Sequence, residues 1–430
     1  MYLILAKNTS QMLMINENLN NSGVNTDMVP APPESGTVCA IALRVSEEDL
    51  ELVKKIISEI SINEYEIFKE KKFKLQDLID KKMGTFVSNE FVQIFKKVEL
   101  GEDLEKKDIV YLLKTTNKKE VQLLFDAADK MRSRMVGDYV EIRGAIEFSN
   151  YCRKSCKYCG INKNNKDIFR YRMTEDEILD VVFSLHKMGI KTVILQSGED
   201  VMWGTDRLIE LVKRIKKEYG LRITLSVGEK SFDEYKRLKE AGANNFLLKI
   251  ETTNRDIFKN IHPDDDFDYR LKCSKWLKEL GYINGSGNII GLPGQTEEDI
   301  AEDILFFKNM GINMIGIGPF IPACGSEFES LPVGSIEMTL RTVAITRLVC
   351  KKVYIPSTTA LASLDKDAQV MALKAGANTI MLINTPIKYR QKYKIYDNKN
   401  MVDMQSAIYA VENAGRKMPK YIKLNEEGTV

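Results

Sequence analysis

Val140-Glu-Ile-Arg-Gly-Ala-Ile-Glu-Phe148, continued through Ser149-Asn-Tyr151 into Cys152-Arg-Lys-Ser-Cys156-Lys-Tyr-Cys159, is the stretch that decides the fold. Its first part reads as a strand and its last part as a loop crowded with thiols. Downstream, further β-rich runs at 192–196, 223–227, 245–250, 284–290, 314–320, 353–358 and 379–383 alternate with amphipathic helical stretches. Capping boxes Thr174-x-x-Glu177, Ser231-x-x-Glu234 and Thr296-x-x-Asp299 open several of these helices. Gly189, Gly220, Gly242, Gly281, Gly311 and Gly376 suit their ends. Eight strand–helix units predict an α/β fold, a parallel (β/α)8 barrel of TIM type, with a doubly wound open sheet as the alternative. In a barrel, chemistry belongs at the C-terminal ends of the strands, which is where the cysteine loop falls.

Upstream, residues 1–72 read as a small α+β unit. An apolar run at 2–6 precedes Met12, Ile15 and Leu19 at helical spacing, which Gly23 ends. Residues 25–29 lead into the breaker-rich Pro30-Ala-Pro-Pro-Glu-Ser-Gly36, and Val38-Cys-Ala-Ile-Ala-Leu-Arg-Val45 reads as another strand. Ser46-Glu-Glu-Asp49 is a capping box before a helix whose one face is Leu50, Val53, Ile57 and Ile60, and Glu64-Tyr-Glu-Ile-Phe68 alternates like a last strand. Counting 25–29 as a short strand gives β-α-β-β-α-β, a ferredoxin-like pattern. The charged Lys69-Glu-Lys-Lys-Phe-Lys74 reads as a solvated linker. Residues 73–135 form a helical lead-in without evident catalytic residues, and 136–430 the barrel.

Composition narrows the function. Of 430 residues 44% are apolar and 29% charged, and 63 Lys and Arg nearly cancel 61 Asp and Glu. No net field recruits nucleic acid or an acidic membrane. The two histidines, His186 and His262, argue against His-ligated zinc and most hydrolytic triads. No apolar stretch approaches the roughly 18 residues of a membrane span, and the N-terminus lacks a basic leader with an apolar core. A soluble cytoplasmic protein is expected. Seven cysteines, an odd number, agree with a reducing compartment.

Cys152, Cys156 and Cys159, at C-x3-C-x2-C spacing, suit three corners of a cubane 4Fe–4S cluster and leave one iron without a protein ligand. An electron carrier would normally add a fourth cysteine. Zinc would also want a fourth ligand, and no His or Cys lies near in sequence; a zinc ribbon or a chance cluster is the plain alternative.

The motif resembles that of the radical S-adenosylmethionine (SAM) superfamily, and the resemblance implies that the amino and carboxylate groups of SAM chelate the open iron. Tyr158 fits the aromatic position before the last cysteine, which contacts adenine in that superfamily. Gln196-Ser-Gly-Glu-Asp200 resembles the Gly-Gly-Glu segment that receives the SAM ammonium, with Ser197 replacing its first glycine; otherwise Glu199 is a helix N-cap carboxylate. Gly287-Asn-Ile-Ile-Gly291 matches G-x-I-x-G, which implies that Gly287, Ile289 and Gly291 lie by the adenine.

Ala145-Ile-Glu-Phe-Ser-Asn-Tyr-Cys152, Leu195-Gln-Ser-Gly-Glu-Asp200, Leu292-Pro-Gly-Gln-Thr296, Gly316-Ile-Gly-Pro-Phe-Ile-Pro322 and Pro356-Ser-Thr-Thr-Ala360, in that order, resemble the HydE family of FeFe-hydrogenase maturases. The resemblance runs from about residue 75 to the C-terminus. It implies that Ser226, Glu251 and Arg270 help hold SAM, with Arg270 suited to its carboxylate; the plain reading of Glu251 and Arg270 is a structural ion pair. It implies substrate contacts from Thr224, Lys249, Thr358, Thr359, Met381 and Tyr393, each otherwise barrel filling. The implied activity is reductive cleavage of SAM to a 5′-deoxyadenosyl radical acting on an organometallic iron–cysteine precursor. Other hydrogenase maturases and a ferredoxin or flavodoxin reductant are the implied partners.

Ala323-Cys324 departs from the polar residue expected after Ile321-Pro322, and no cysteine after Cys350 offers a second cluster of the kind some relatives carry. His262 is a polar site residue or a loop-stabilising imidazole, and His186 is structural. The N-terminal unit resembles a family of Se/S carrier-like proteins through Tyr2-Leu-Ile-Leu and Cys39-Ala-Ile-Ala-Leu-Arg44. Cys39 could then carry a persulfide or sense redox state, or be an inert core thiol. Methylornithine synthase and biotin synthase are the alternatives within the superfamily, although Cys273 and Cys350 fall on predicted helices rather than in a second cluster site. An iron–sulfur electron-transfer or redox-sensing module is the alternative of another class, and it leaves 287–291 unexplained.

Overall fold

A computed structural model of the chain describes residues 1–32, 35, 41–69 and 87–423. The N-terminal unit is a four-stranded antiparallel sheet of β1 (Tyr2–Ala6), β2 (Asp27–Pro30), β3 (Ile41–Val45) and β4 (Tyr65–Lys69) in the order β2-β3-β1-β4. Helices Thr9–Asn21 and Leu50–Glu59 follow β1 and β3, which completes the expected β-α-β-β-α-β order. Met12, Ile15 and Leu19 from the first helix and Val53, Ile56 and Ile57 from the second bury against Ile4, Leu43 and Val45. The Ser46–Asp49 bonds form, but before the helix: Asp49 is its N-cap and makes no side-chain cap bond. Cys39 and residues 70–86, which include the charged linker beyond Lys69 and the start of the helical lead-in, lie outside the described residues.

The second body is an eight-stranded parallel sheet: β5 (Glu141–Ser149), β6 (Thr192–Ser197), β7 (Arg222–Ser226), β8 (Asn245–Leu247), β9 (Ile283–Ile290), β10 (Met314–Pro319), β11 (Pro356–Ser357) and β12 (Thr379–Ile383). Its order, β10-β9-β8-β7-β6-β5-β12-β11, closes on itself because Tyr354 bridges Met314 and exchanges backbone hydrogen bonds with Asn313 and Ile315. The barrel is therefore nearly closed and the open-sheet alternative falls. β5 is buried at every position. Ile142, Ile146 and Phe148 join the core against the outer helices, whereas Ala145 meets Ile194 and Ile383 inside. The three predicted capping boxes form at Thr174, Ser231 and Thr296.

Two strands are shorter than their sequence runs. The run at 245–250 loses its ladder after Leu247: the amide of Ile250 donates to the Ser286 hydroxyl, and Glu251 takes a φ of 63°. The run at 353–358 keeps only Pro356–Ser357, because Pro356 has no amide to give and Thr358 is the N-cap of helix Thr359–Leu364. Upstream of the barrel, helix Lys106–Lys114 packs against helices Glu297–Met310 and Ile336–Cys350, helix Lys118–Val136 packs against Ile336–Cys350, and helix Asn89–Leu100 packs against Lys106–Lys114. Arg341 ties them by donating to the carbonyls of Leu113 and Thr115. Among the described residues no helix is long and apolar enough to cross a membrane.

Candidate functional site

A cavity of about 390 Å³ runs from the cysteine loop at the barrel mouth to Arg143, Met314 and Tyr354 deep inside. All three loop cysteines line it as free thiols. Burial pushes each thiol up, Cys159 to about 12, so the trio holds its protons unless a cation binds. Cys152 Sγ accepts from the amides of Lys154 and Glu199, each at 3.4 Å, and Cys156 Sγ lies 3.2 Å from His262 Nδ1.

The loop is braced from below. Arg170 donates to the carbonyls of Asn150, Ile161, Asn162 and Asn165 at 2.6–3.1 Å. Asn162 Oδ1 accepts from the amides of Asn164 and Asn165, and Asn165 Nδ2 reaches the carbonyls of Gly160 and Cys324. At the end of β6, a Cβ on Gly198 would lie 2.4 Å from the Tyr151 carbonyl and 2.7 Å from Cys152 Cβ. Only glycine lets that turn sit on the cysteine loop.

Around the thiols lies a charged ring. Glu199 pairs with Arg153 at 2.9 Å and accepts from the Glu229 amide, so it is a ring member rather than a helix cap. Lys154 bonds Asp265 and lies 3.8 Å from both Glu199 and Glu229. Arg270 donates to Glu229 at 2.5 Å, Asp265 at 2.8 Å and the Lys249 carbonyl at 2.7 Å. Hydrogen bonds from His262 and the cationic Arg270 hold Asp265 well below the usual carboxylate range against its burial. His262 is buried between Cys156, Asp265 and the Tyr158 hydroxyl, so it supports the site and not a remote loop. Burial pushes the Tyr158 phenol well up, and its hydroxyl lies 3.4 Å from Glu251 Oε1.

Most expected site residues converge. Tyr158, Glu199, Ser226, Glu251, Arg270 and Ile289 line the cavity near the thiols. Thr224, Lys249, Thr358, Thr359, Met381 and Tyr393 line it deeper in the barrel. Gly287 and Gly291 do not line it. A Cβ on Gly287 would meet the Gly316 carbonyl at 2.0 Å, so this glycine serves strand packing against β10. Lys249 Nζ lies 2.8 Å from Glu251 Oε2, yet that buried oxygen has no directional hydrogen bond.

Sequence reasoning missed Arg143, Arg170, Glu229 and Asp265. Arg143 is buried, pairs with Glu141 at 2.8 Å and lies over the Tyr354 ring at 4.7 Å. Its signal was there, since opposite charges two residues apart on one face of a buried strand need a reason. The others depend on partners far away in sequence. Cys273 and Cys350 lie on helices and do not line the cavity, as expected.

Three soft thiols at the edge of a cavity, and a ring of opposite charges around them, fit a cluster with one open iron and a ligand beside it that carries both an ammonium and a carboxylate. Known proteins agree with that donor set. Residues 146–307 match the profile of the radical SAM superfamily, 317–413 that of the biotin and thiamin synthesis associated domain, and 1–69 that of Se/S carrier protein-like sequences. The chain is 44% identical to the [FeFe] hydrogenase maturase subunit HydE of Thermotoga maritima, over 65% of this chain and 80% of that protein. It is 30% identical to a 3-methylornithine synthase of Methanosarcina barkeri, over 76% and 94%. The crystal structure of methylornithine synthase superposes with a TM-score of 0.68 at 28% identity, covering 76% of this chain and 98% of that one. The family implies a 4Fe–4S cluster and SAM as cofactors. The barrel, its thiol-lined mouth and the HydE identity agree, and the chain is a radical-SAM enzyme belonging to the HydE family.

Proposed function

We propose that this enzyme acts in maturation of the FeFe-hydrogenase active site, on a small organometallic iron–cysteine precursor, with one 4Fe–4S cluster held by Cys152, Cys156 and Cys159. The observation that carries the reading is the cavity itself, which joins the thiols to Arg143 and Tyr354 through the barrel interior. When bound, cluster and SAM supply reductive cleavage to methionine and a 5′-deoxyadenosyl radical. This chain's residues then bind and shield. Glu199 offers a carboxylate to the SAM ammonium, Arg270 keeps donors free for its carboxylate, and Glu251 with Ser226 suits the ribose. Tyr158 gives an apolar face to adenine. Below them Thr224, Lys249, Thr358, Thr359, Met381 and Tyr393 orient the substrate and exclude water. Other maturases that make the precursor, and a ferredoxin or flavodoxin as reductant, complete the proposal.

The test is anaerobic reconstitution with iron and sulfide, then dithionite and SAM, beside hydrogenase activity in cells lacking their own HydE. Production of 5′-deoxyadenosine and restored hydrogenase support the reading. No 5′-deoxyadenosine removes the radical chemistry, and cleavage without restored hydrogenase removes the maturation role. Likeness to methylornithine synthase in both sequence and fold favours a second reading, methylornithine synthesis. Formation of methylornithine by the reconstituted protein, from a straight-chain isomer of that amino acid, would replace the first reading with it.

A further inference from the structure

Glu251, proposed above to meet the ribose of SAM, stands in a backbone conformation that non-glycine residues avoid, with φ of 63°. Such a conformation persists only where its surroundings over-determine it. On the cavity side the restraints are two backbone bonds to β9: the Glu251 amide donates to the Gly287 carbonyl, and the Ile289 amide donates to the Glu251 carbonyl. On the far side stands Asp303, fully buried on helix Glu297–Met310. One of its oxygens accepts from the Thr253 amide at 2.6 Å and from the Thr253 hydroxyl at 2.7 Å. The other accepts from Asn288 Nδ2 at 3.0 Å. Asn288 is also the residue that Glu251 bridges across the strands. One carboxylate therefore fastens the turn after Glu251 to the strand beside it. Among the described residues Asp303 has no ion-pair partner, so these three hydrogen bonds are what compensates its burial.

We propose that Asp303 is a positioning residue for SAM: from behind the barrel wall it holds Glu251 in its left-handed conformation and so sets the affinity of the site. The inference rests on Glu251 being a SAM contact. Burial pushes the Asp303 carboxyl up to about 7, and the neutral form fits as well, because the buried Asn288 Oδ1 has no donor of its own. An asparagine at 303 is accommodated in the same way once the Asn288 amide turns over.

The experiment compares Asp303→Ala, Asp303→Asn, Thr253→Val and Glu251→Gln in anaerobically reconstituted full-length protein. Iron content, SAM dissociation constant by equilibrium dialysis, and amide exchange at Glu251, Thr253 and Ile289 in the metal-free protein are measured. Asp303→Ala is expected to weaken SAM binding about tenfold or more and to speed exchange at those three amides, with iron content unchanged. Asp303→Asn is expected to bind SAM like the wild type, which a role of the charge alone would not give. Thr253→Val removes one of the three bonds and keeps the proposal testable if Asp303→Ala fails to fold; it is expected to weaken SAM binding by a few fold. Wild-type SAM affinity in Thr253→Val, or in a folded Asp303→Ala, overturns the proposal. Wild-type affinity in Glu251→Gln instead overturns the reading of the Glu251 carboxylate as a SAM contact, and the proposal with it.

Discussion

Arg170 gives the sharpest quantitative test of how the cysteine loop is held. Its guanidinium donates to four carbonyls, those of Asn150, Ile161, Asn162 and Asn165. A hydrogen bond to a charged group contributes about 1.5–3 kcal/mol, so simple addition for four would give about 6–12 kcal/mol. That sum is too large, because the side chain is half-buried and water can reach the carbonyls once the arginine is gone. A discounted cost of about 3 kcal/mol for Arg170→Ala still lowers the population of the ordered loop more than a hundredfold. The variant should fold, with the barrel core intact, but take up far less iron on reconstitution. Arg170→Lys should fall between, since one ammonium cannot fork across four acceptors. The assay is iron and sulfide per chain, with limited proteolysis of the metal-free protein at 157–166. An Arg170→Ala protein with full iron content and unchanged proteolysis would refute the brace.

Cys156→Ala should keep the fold and lose the 4Fe–4S centre, because two thiolates do not retain a cubane; full iron content with a SAM-dependent spectral change is the contrary result. Arg270→Ala should weaken SAM binding by about 2–5 kcal/mol while iron content stays normal, and an unchanged SAM dissociation constant would make Arg270 a brace for Glu229 and Asp265 only. Stability should depend on pH through Asp303. Its folded pKa of about 7 lies above the ordinary 3.8, so the native state binds the extra proton between those values, and stability falls as pH rises through that window and levels off above it. The thermal midpoint of the wild type should drop more than that of Asp303→Asn over the window; parallel curves would dismiss the titration.

The barrel was readable because its strands are short β-rich runs separated by helices with capping boxes, signals carried by neighbouring residues. The thiol loop was readable for the same reason, since all three cysteines fall within eight residues. What escaped depends on distant approach. Arg170 does its work on carbonyls, which no side-chain pattern announces. Asp265 and Glu229 look like surface acids until folding sets Lys154 and Arg270 between them. Gly287 is also needed where β10 comes closest, a steric demand that its motif does not announce. The early end of the run at 245–250 was hidden too, because it turns on a hydroxyl of the next strand.

The junction of β10 with β11 gives the barrel a direction of compliance. Elsewhere adjacent strands share ladders of two to six residue pairs, whereas here Tyr354 alone bridges Met314. The ring resembles a split collar whose slit lies two strands beyond β5, the strand that carries the cysteine loop. Arg143 spans that gap, reaching from β5 to Tyr354 and to Met314 Sδ. A bulkier guest would meet the least resistance at Tyr354, where a single bridge rather than a ladder has to give. Substitutions at Tyr354, Met314 and Arg143 are where the size of the accepted guest can drift while the radical machinery stays fixed.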